Sequence, residues 1–291
     1  VSTPRFLTLP PGVRRVDIPT ARGTLAALEA LPTSGSCERQ TAVLVPGFTG
    51  SKEDFIALLQ TLAHARRRVI AIDMRGQYES PGPDDPAAYA LAELGVDILA
   101  LIDALDSEGV HLLGHSMGGL VTREAVITDA AGIASYTIMS SGPGAIAGAR
   151  ESDARRLITA LQSYTVEEIW EHNLSAGVAA STLPQEVKAF LYKRMVANTP
   201  AGLAQMAHEV TSAADRVAEL AAVPVPKLVL YGENDDAWPP QVQAEMAEQL
   251  GASRVVVPGA AHSPNVEAPE TTASALTDFW NACERGGALA G

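Results

Sequence analysis

The chain has 291 residues, 47% of them apolar and 5% aromatic, so mainly aliphatic side chains fill a core large enough for one α/β domain with an insertion or for two ordinary domains. Its 34 acidic residues outnumber 21 basic ones, and a net charge of −13 argues against phosphate backbones and anionic lipid surfaces as partners. Two cysteines at opposite ends, Cys37 and Cys283, provide no disulfide framework, although one bridge between them stays open, and no apolar run has the length of a membrane span.

In chain order, "VRRVDIP" and "GTLAALEALP" read as an antiparallel hairpin with Arg22 and Gly23 near its turn. From Thr41 onward, short β-branched runs alternate with helical patterns: "TAVLVP", a helix over 51–65, "RVIAID", then a helix over 85–105. In the second helix Leu91, Leu94, Ile98, Leu101, Ile102 and Leu105 form one apolar stripe. Arg66, Arg67 and Arg68 between helix and strand read as a solvated corner. "VHLLG", a helix after Ser116, "SYTIMS", "KLVLYG", a helix over 241–250, "SRVVVPG" and a last helix opened by Pro269 continue the alternation. Strand alternating with helix specifies a mostly parallel, doubly wound sheet of about eight strands. Only 145–224 breaks the pattern, holding helical runs such as "EVKAFLYKRMVAN" and no buried strand. We therefore expect an α/β core made of 1–144 and 225–291, with a helical cap of 145–224 inserted between its halves.

One stretch carries chemistry. The buried run "VHLLG" passes directly into Gly114-His115-Ser116-Met117-Gly118 and then into a helix. A serine at a strand-to-helix turn adopts a strained backbone, and its neighbours two away must be small for the elbow to fit. The turn pushes the hydroxyl out at the carboxyl edge of the sheet, where the new helix aims free N–H groups at whatever the serine attacks.

With this elbow in this alternation, nearly the whole chain resembles the α/β-hydrolase superfamily, whose catalytic order is nucleophile, acid, histidine. The resemblance implies Ser116 as nucleophile and His262, in "VVVPGAAHSPNVEAPE", as base. The acid is expected in "LVLYGENDDAWPP". There the family spacing of Gly, Asp and Pro matches Gly232, Asp235 and Pro239, so Asp235 is the choice and Asp236 the reserve. The resemblance also implies an oxyanion hole from the N–H groups of Met117 and of Phe48 in "LVPGFTGSKEDF". Two departures stand out. Pro46-Gly47 replaces His-Gly, which removes the hydrogen bond that anchors this loop, and "RGQYES" replaces Arg-Gly-His-Gly, placing Gln77 and Tyr78 either at the pocket or on a surface loop.

Other residues admit plainer readings. His111 and His115 have zinc-like spacing but lie on a strand and its turn, so no metal is expected, and His115 is read as packing or bonding locally. Trp238, beside Asp235, is a candidate pocket wall. Trp170, Phe190, Tyr192 and Met195 form either a substrate ceiling or cap packing, and Cys283 is read as core. The expected protein is a cofactor-free serine hydrolase acting on a small or medium carboxylic ester, lactone or thioester. Carbon–carbon bond hydrolysis and perhydrolysis, as in cofactor-free haloperoxidases, can use the same triad, and a slow small-molecule receptor can retain it. The expected partner is a small-molecule substrate, with no nucleic acid and no membrane. The expected location is cytoplasmic, with a processed leader left open by the initial Val1.

Overall fold

The computed structural model describes residues 2–32 and 37–286. Its frame is an eight-stranded sheet in the order β1-β2-β4-β3-β5-β6-β7-β8. The hairpin β1 (Val13–Thr20) and β2 (Gly23–Ala30) turns at Arg22, pairs Thr20 with Gly23, and joins β4 (Arg67–Ile72) antiparallel. From β3 (Arg39–Val45) through β4, β5 (Val110–His115), β6 (Ile133–Met139), β7 (Lys227–Gly232) and β8 (Ser253–Val257), neighbouring strands pair parallel. Their two-residue periodicity splits each strand between two cores. Val43, Val45, Ile70, Ile72, Leu112 and Val229 face one core, which is closed by α2 (Leu91–Ala104), α3 (Met117–Thr128) and α10 (Pro240–Leu250). Ala42, Leu44, Val69, Ala71, Leu113 and Leu230 face the other, closed by α1 (Ile56–His64) and α12 (Pro269–Glu284). Burial on both faces explains why these strands read as continuous apolar runs.

Two helices start differently from expectation. The run expected over 51–65 opens as a 3-10 turn, Lys52–Phe55, because Asp54 folds back to accept the Ser51 N–H at 3.2 Å. The run expected over 85–105 is a separate 3-10 turn, Pro86–Tyr89, capped by the Asp85 side chain on the Ala87 N–H. Extended Ala90 then intervenes before α2 begins. Between β6 and β7 the chain is helical: α4 (Gly148–Ala160), α5 (Val166–Ile169), a π-helical turn at Trp170–Leu174, α6 (Ser175–Ala180), α7 (Gln185–Val196), α8 (Pro200–Ser212) and α9 (Val217–Ala222). Its own apolar cluster holds Trp170, Phe190, Leu191, Met195 and Leu203. Among the described residues no helix is long and apolar enough to cross a membrane, and Cys37 and Cys283 are both free thiols.

Arg67 corrects the reading of a solvated corner: its relative exposure is 0%. As the first residue of β4 it points at α12, where its guanidinium bonds Glu284 Oε1 at 3.0 Å and Asn281 Oδ1 at 2.6 Å and lies over the Trp280 ring. His111 stacks on the same Trp280 ring, with centroids 5.4 Å apart, and bonds Ser135 and Glu284. Truncation would open a cavity against Trp280 and remove the Asn281 contact, while Glu284 keeps Arg39 and His111 as partners. Arg67→Ala is therefore expected to destabilise the fold by about 2–3 kcal/mol, measured by urea denaturation.

Candidate active site

The site forms where the central strand β5 stops. One residue, Ser116, separates it from α3, with φ 56° and ψ −126°. A left-handed φ is uncommon for a residue with a side chain and costs about 1–3 kcal/mol unless its surroundings impose it. Here they do: the Ser116 N–H donates to Met139 O at 2.9 Å, and the Gly119 N–H donates back to Ser116 O at 2.8 Å. The flanking glycines answer to space. A Cβ on Gly114 would collide with Thr122 Oγ1 and Gly118 O, and one on Gly118 would collide with the carbonyls of Val45 and Pro46.

His262 reaches this hydroxyl from the loop between β8 and α11 (Pro264–Glu267), with its Nε2 2.9 Å from Ser116 Oγ. That loop is tied down from two sides. Glu267 accepts the N–H groups of Ala261 and Ser263, and His115 Nε2 donates to the His262 carbonyl at 2.8 Å. Burial, with His262 close by, pushes the His115 imidazole down to about 3, so His115 is neutral and works as a fixed donor. Its role is thus a hydrogen bond to the loop that carries His262.

On the far side of the ring, Nδ1 lies 2.9 Å from Asp235 Oδ1. Asp235 has the environment of an ionised acceptor. Burial raises its pKa, but hydrogen bonds from His262, the Ala237 N–H and Gln243 Nε2 outweigh that and hold it below the usual carboxylate range. A carboxylate only accepts, so Nδ1 carries the proton and the bare Nε2 lone pair faces the serine. Asp236 turns outward instead and pairs with Arg150 at the surface. Gln243, fully buried on α10, was not anticipated from sequence; it bonds both Asp235 Oδ2 and Trp238 O, and nothing in a lone helical glutamine signals this.

The Met117 N–H opens α3 and has no acceptor within the helix. Residues 46–48 lie against Ser116, since a Cβ on Gly47 would stand 2.9 Å from Ser116 Cβ. Among the described residues neither the Phe48 N–H nor the Met117 N–H donates to another protein group. The anchor lost with Pro46 is supplied by buried Gln77, whose Nε2 donates to Gly47 O at 3.1 Å. Below it, fully buried Lys52 bonds Asp73, Glu53 and Glu79 at 2.7, 3.0 and 2.8 Å and sits 4.5 Å from the centre of the Tyr78 ring.

The aromatic candidates separate. Trp238 packs near the His262 ring at 6.2 Å and donates its Nε1–H to Gly144 O, so it touches both the imidazole and the start of the helical segment. Tyr78 meets Phe190 edge-on at 5.5 Å and shares an apolar cluster with Phe48. Trp170 meets Tyr192 at 5.6 Å and lines a groove of about 270 Å³ with Val178, Gln185 and Lys188, none of which is bonded to Ser116, Asp235 or His262. Among the described residues no group of three or more His, Cys, Asp or Glu is placed to hold a metal ion.

Comparison with known proteins agrees with this architecture. The chain is 28% identical over 222 residues to 3-oxoadipate enol-lactonase 1 of Acinetobacter baylyi, covering 73% of this chain and 78% of the lactonase. Coverage of other curated relatives ranges widely, from 28% of one to 93% of another. Among solved structures, a hydrolase from Pseudomonas aeruginosa superposes with a TM-score of 0.71 at 25% identity, covering 91% of this chain and 98% of that one. The enol-lactonase of Burkholderia xenovorans superposes with a TM-score of 0.74 at 22% identity, covering 91% and 100%. The family model described as the alpha/beta hydrolase family matches residues 42–275, from β3 into α12, and the chain belongs to that family of hydrolases.

Proposed function

We propose that the protein is a serine hydrolase that cleaves a small or medium carboxylic ester, lactone or thioester through an acyl-enzyme intermediate. The observation that carries this reading is the unbroken chain of contacts, 2.9 Å from Ser116 Oγ to His262 Nε2 and 2.9 Å from His262 Nδ1 to Asp235. In the first half-reaction Ser116 Oγ attacks the carbonyl carbon while its proton passes to His262 Nε2. The negative oxygen of the tetrahedral intermediate takes hydrogen bonds from the N–H groups of Phe48 and Met117, each worth about 10²–10³ in rate. His262 then protonates the departing alcohol or thiol, or the ring oxygen of a lactone. In the second half-reaction His262 deprotonates a water molecule, which attacks the acyl carbon, and Ser116 leaves with the returned proton. Asp235 stays a carboxylate throughout and stabilises the imidazolium.

The lactone option draws on the relatives named as enol-lactonases, a property of those proteins that is here carried over as a proposal. Residues 145–224 act in this scheme as a cap over the site, with Trp238 and Tyr78 contributing to the substrate wall. Trp170 is a weaker pocket candidate, because its groove has no bond to the three reacting residues. The substrate is a small molecule, and the charge of −13 disfavours nucleic acid. A cytoplasmic location is compatible with two free thiols.

A substrate panel tests the reading. Short and medium esters, lactones and thioesters are offered beside a vinylogous diketone, to wild type and to Ser116→Ala. The expected result is turnover of at least one acyl substrate that vanishes in the variant. Cleavage of the diketone with every ester, lactone and thioester left intact would replace acyl transfer by carbon–carbon hydrolysis.

A further inference from the structure

Beyond the three reacting residues, the helical segment itself makes a buried charged contact near the site. Arg194, on α7, has a relative exposure of 1%, and so does its partner Asp54, 2.7 Å away. The same guanidinium donates to Ser2 O at 2.8 Å, stands 3.5 Å from Ser51 Oγ, and lies over the Phe190 ring. Asp54 is equally committed. Its Oδ2 accepts the Ser51 N–H, and its backbone carbonyl accepts Asn265 Nδ2 at 2.7 Å from the fully buried side chain of Asn265. Ser2 Oγ in turn bonds Ser263 Oγ at 2.8 Å.

These contacts converge on two loops of the proposed chemistry. Ser51 and Asp54 end the loop that presents Gly47 and Phe48, and Ser263 and Asn265 directly follow His262. We propose that the buried Arg194–Asp54 pair is a positioning device. It docks α7 on the core and thereby fixes, at one junction, the loop carrying the Phe48 N–H and the loop carrying His262.

Stability alone is a poor reason for such a pair. Two charges taken out of water lose hydration that their attraction scarcely repays, and apolar replacements of equal volume are often as stable. What a forked guanidinium provides that an apolar pair does not is direction: its planar donors hold a carboxylate and a carbonyl at set angles. Burial holds the Asp54 carboxyl above its ordinary range even against the Arg194 charge and the Ser51 N–H, so the carboxylate depends on its partner. A displacement of about 1 Å in groups that must meet a transition state is sufficient to cost about a hundredfold in rate.

The inference rests on the proposed acyl transfer for its kinetic half only. The test compares wild type, Arg194→Lys, and the double variant Arg194→Met with Asp54→Asn, which leaves no unpaired charge and keeps an acceptor for the Ser51 N–H. Hydrogen exchange is read on peptides covering 46–55 and 261–266, and steady-state kinetics on the best substrate of the panel. The double variant is expected to exchange faster in those two peptides, with the β1–β2 hairpin unchanged. Its kcat is expected to fall about ten- to a hundredfold with little change in KM, and Arg194→Lys is expected to recover part of that loss. A folded double variant with wild-type exchange in both peptides, or with wild-type kcat, overturns the proposal. So does faster exchange spread evenly over the whole chain, which marks a purely structural pair. Should wild type hydrolyse nothing, the acyl-transfer reading falls, and exchange still decides whether the pair holds the two loops.

Discussion

His262→Ala is expected to lower kcat by about a millionfold, Ser116→Ala by about the same, and the double variant by no more than either alone. The reason is that the two residues form one device. Without the imidazole 2.9 Å from its oxygen, the hydroxyl keeps its proton and is a poor nucleophile. Without the hydroxyl, the imidazole has nothing to deprotonate except water. Residual catalysis from the N–H groups of Phe48 and Met117 would leave the variants about 10³–10⁴ above the uncatalysed reaction. Neither change disturbs the elbow: the Ser116 N–H and C=O bonds that fix its backbone remain, and alanine has the same Cβ as serine. Steady-state kinetics with circular dichroism of each variant measure the loss and show that the fold survives.

The second large effect distinguishes two adjacent aspartates. Asp235→Asn is expected to reduce kcat about 10⁴-fold, because an amide donor opposite Nδ1 favours the tautomer whose proton sits on Nε2, where the serine proton must go. Asp236→Asn is expected to leave kcat within about twofold. Its carboxylate is exposed and pairs with Arg150 across the surface, where such a pair is worth about 0–1 kcal/mol. The pair of variants, measured side by side at neutral pH, tests the position of the acid as much as its chemistry. Equal losses from both would contradict the assignment.

How much of this was legible beforehand depended on which physical signal each residue sends. The strands were readable because a strand buried on both faces must be apolar throughout, and Val43 to Val45 or Leu228 to Leu230 have no other use. The elbow was readable because Gly114 and Gly118 are the sterically permitted choice where carbonyls and Thr122 crowd in. Asp235 and Asp236 are adjacent residues of one type, and in sequence only the family spacing of Gly232, Asp235 and Pro239 favours the former. What separates them is that Gln243 and the Ala237 N–H converge on the former, a fact of packing across eight residues of loop and helix.

Buried charge was the least legible feature. Arg67 and Arg194 look like surface residues on composition, because charged side chains are seldom fully buried without a partner, and the partners are far away in sequence. Arg67 finds Glu284 across 217 positions, and Arg194 finds Asp54 across 140. The replacement of the missing loop anchor by Gln77 is hidden for the same reason: the loop that holds Gly47 in place is thirty residues downstream. Trp170 illustrates the converse. Helical spacing shows that an aromatic ring is on the inner side of a helix, but not whether that side looks toward Ser116 or, as here, toward Tyr192 and the groove beside it.

The most direct test is covalent. Folded wild-type protein and Ser116→Ala are treated with a fluorophosphonate, and the modified peptide is mapped by mass spectrometry. An adduct on Ser116 in the wild type, and none in the variant, is the predicted result; a folded wild type that leaves Ser116 unmodified contradicts an activated nucleophile at this elbow.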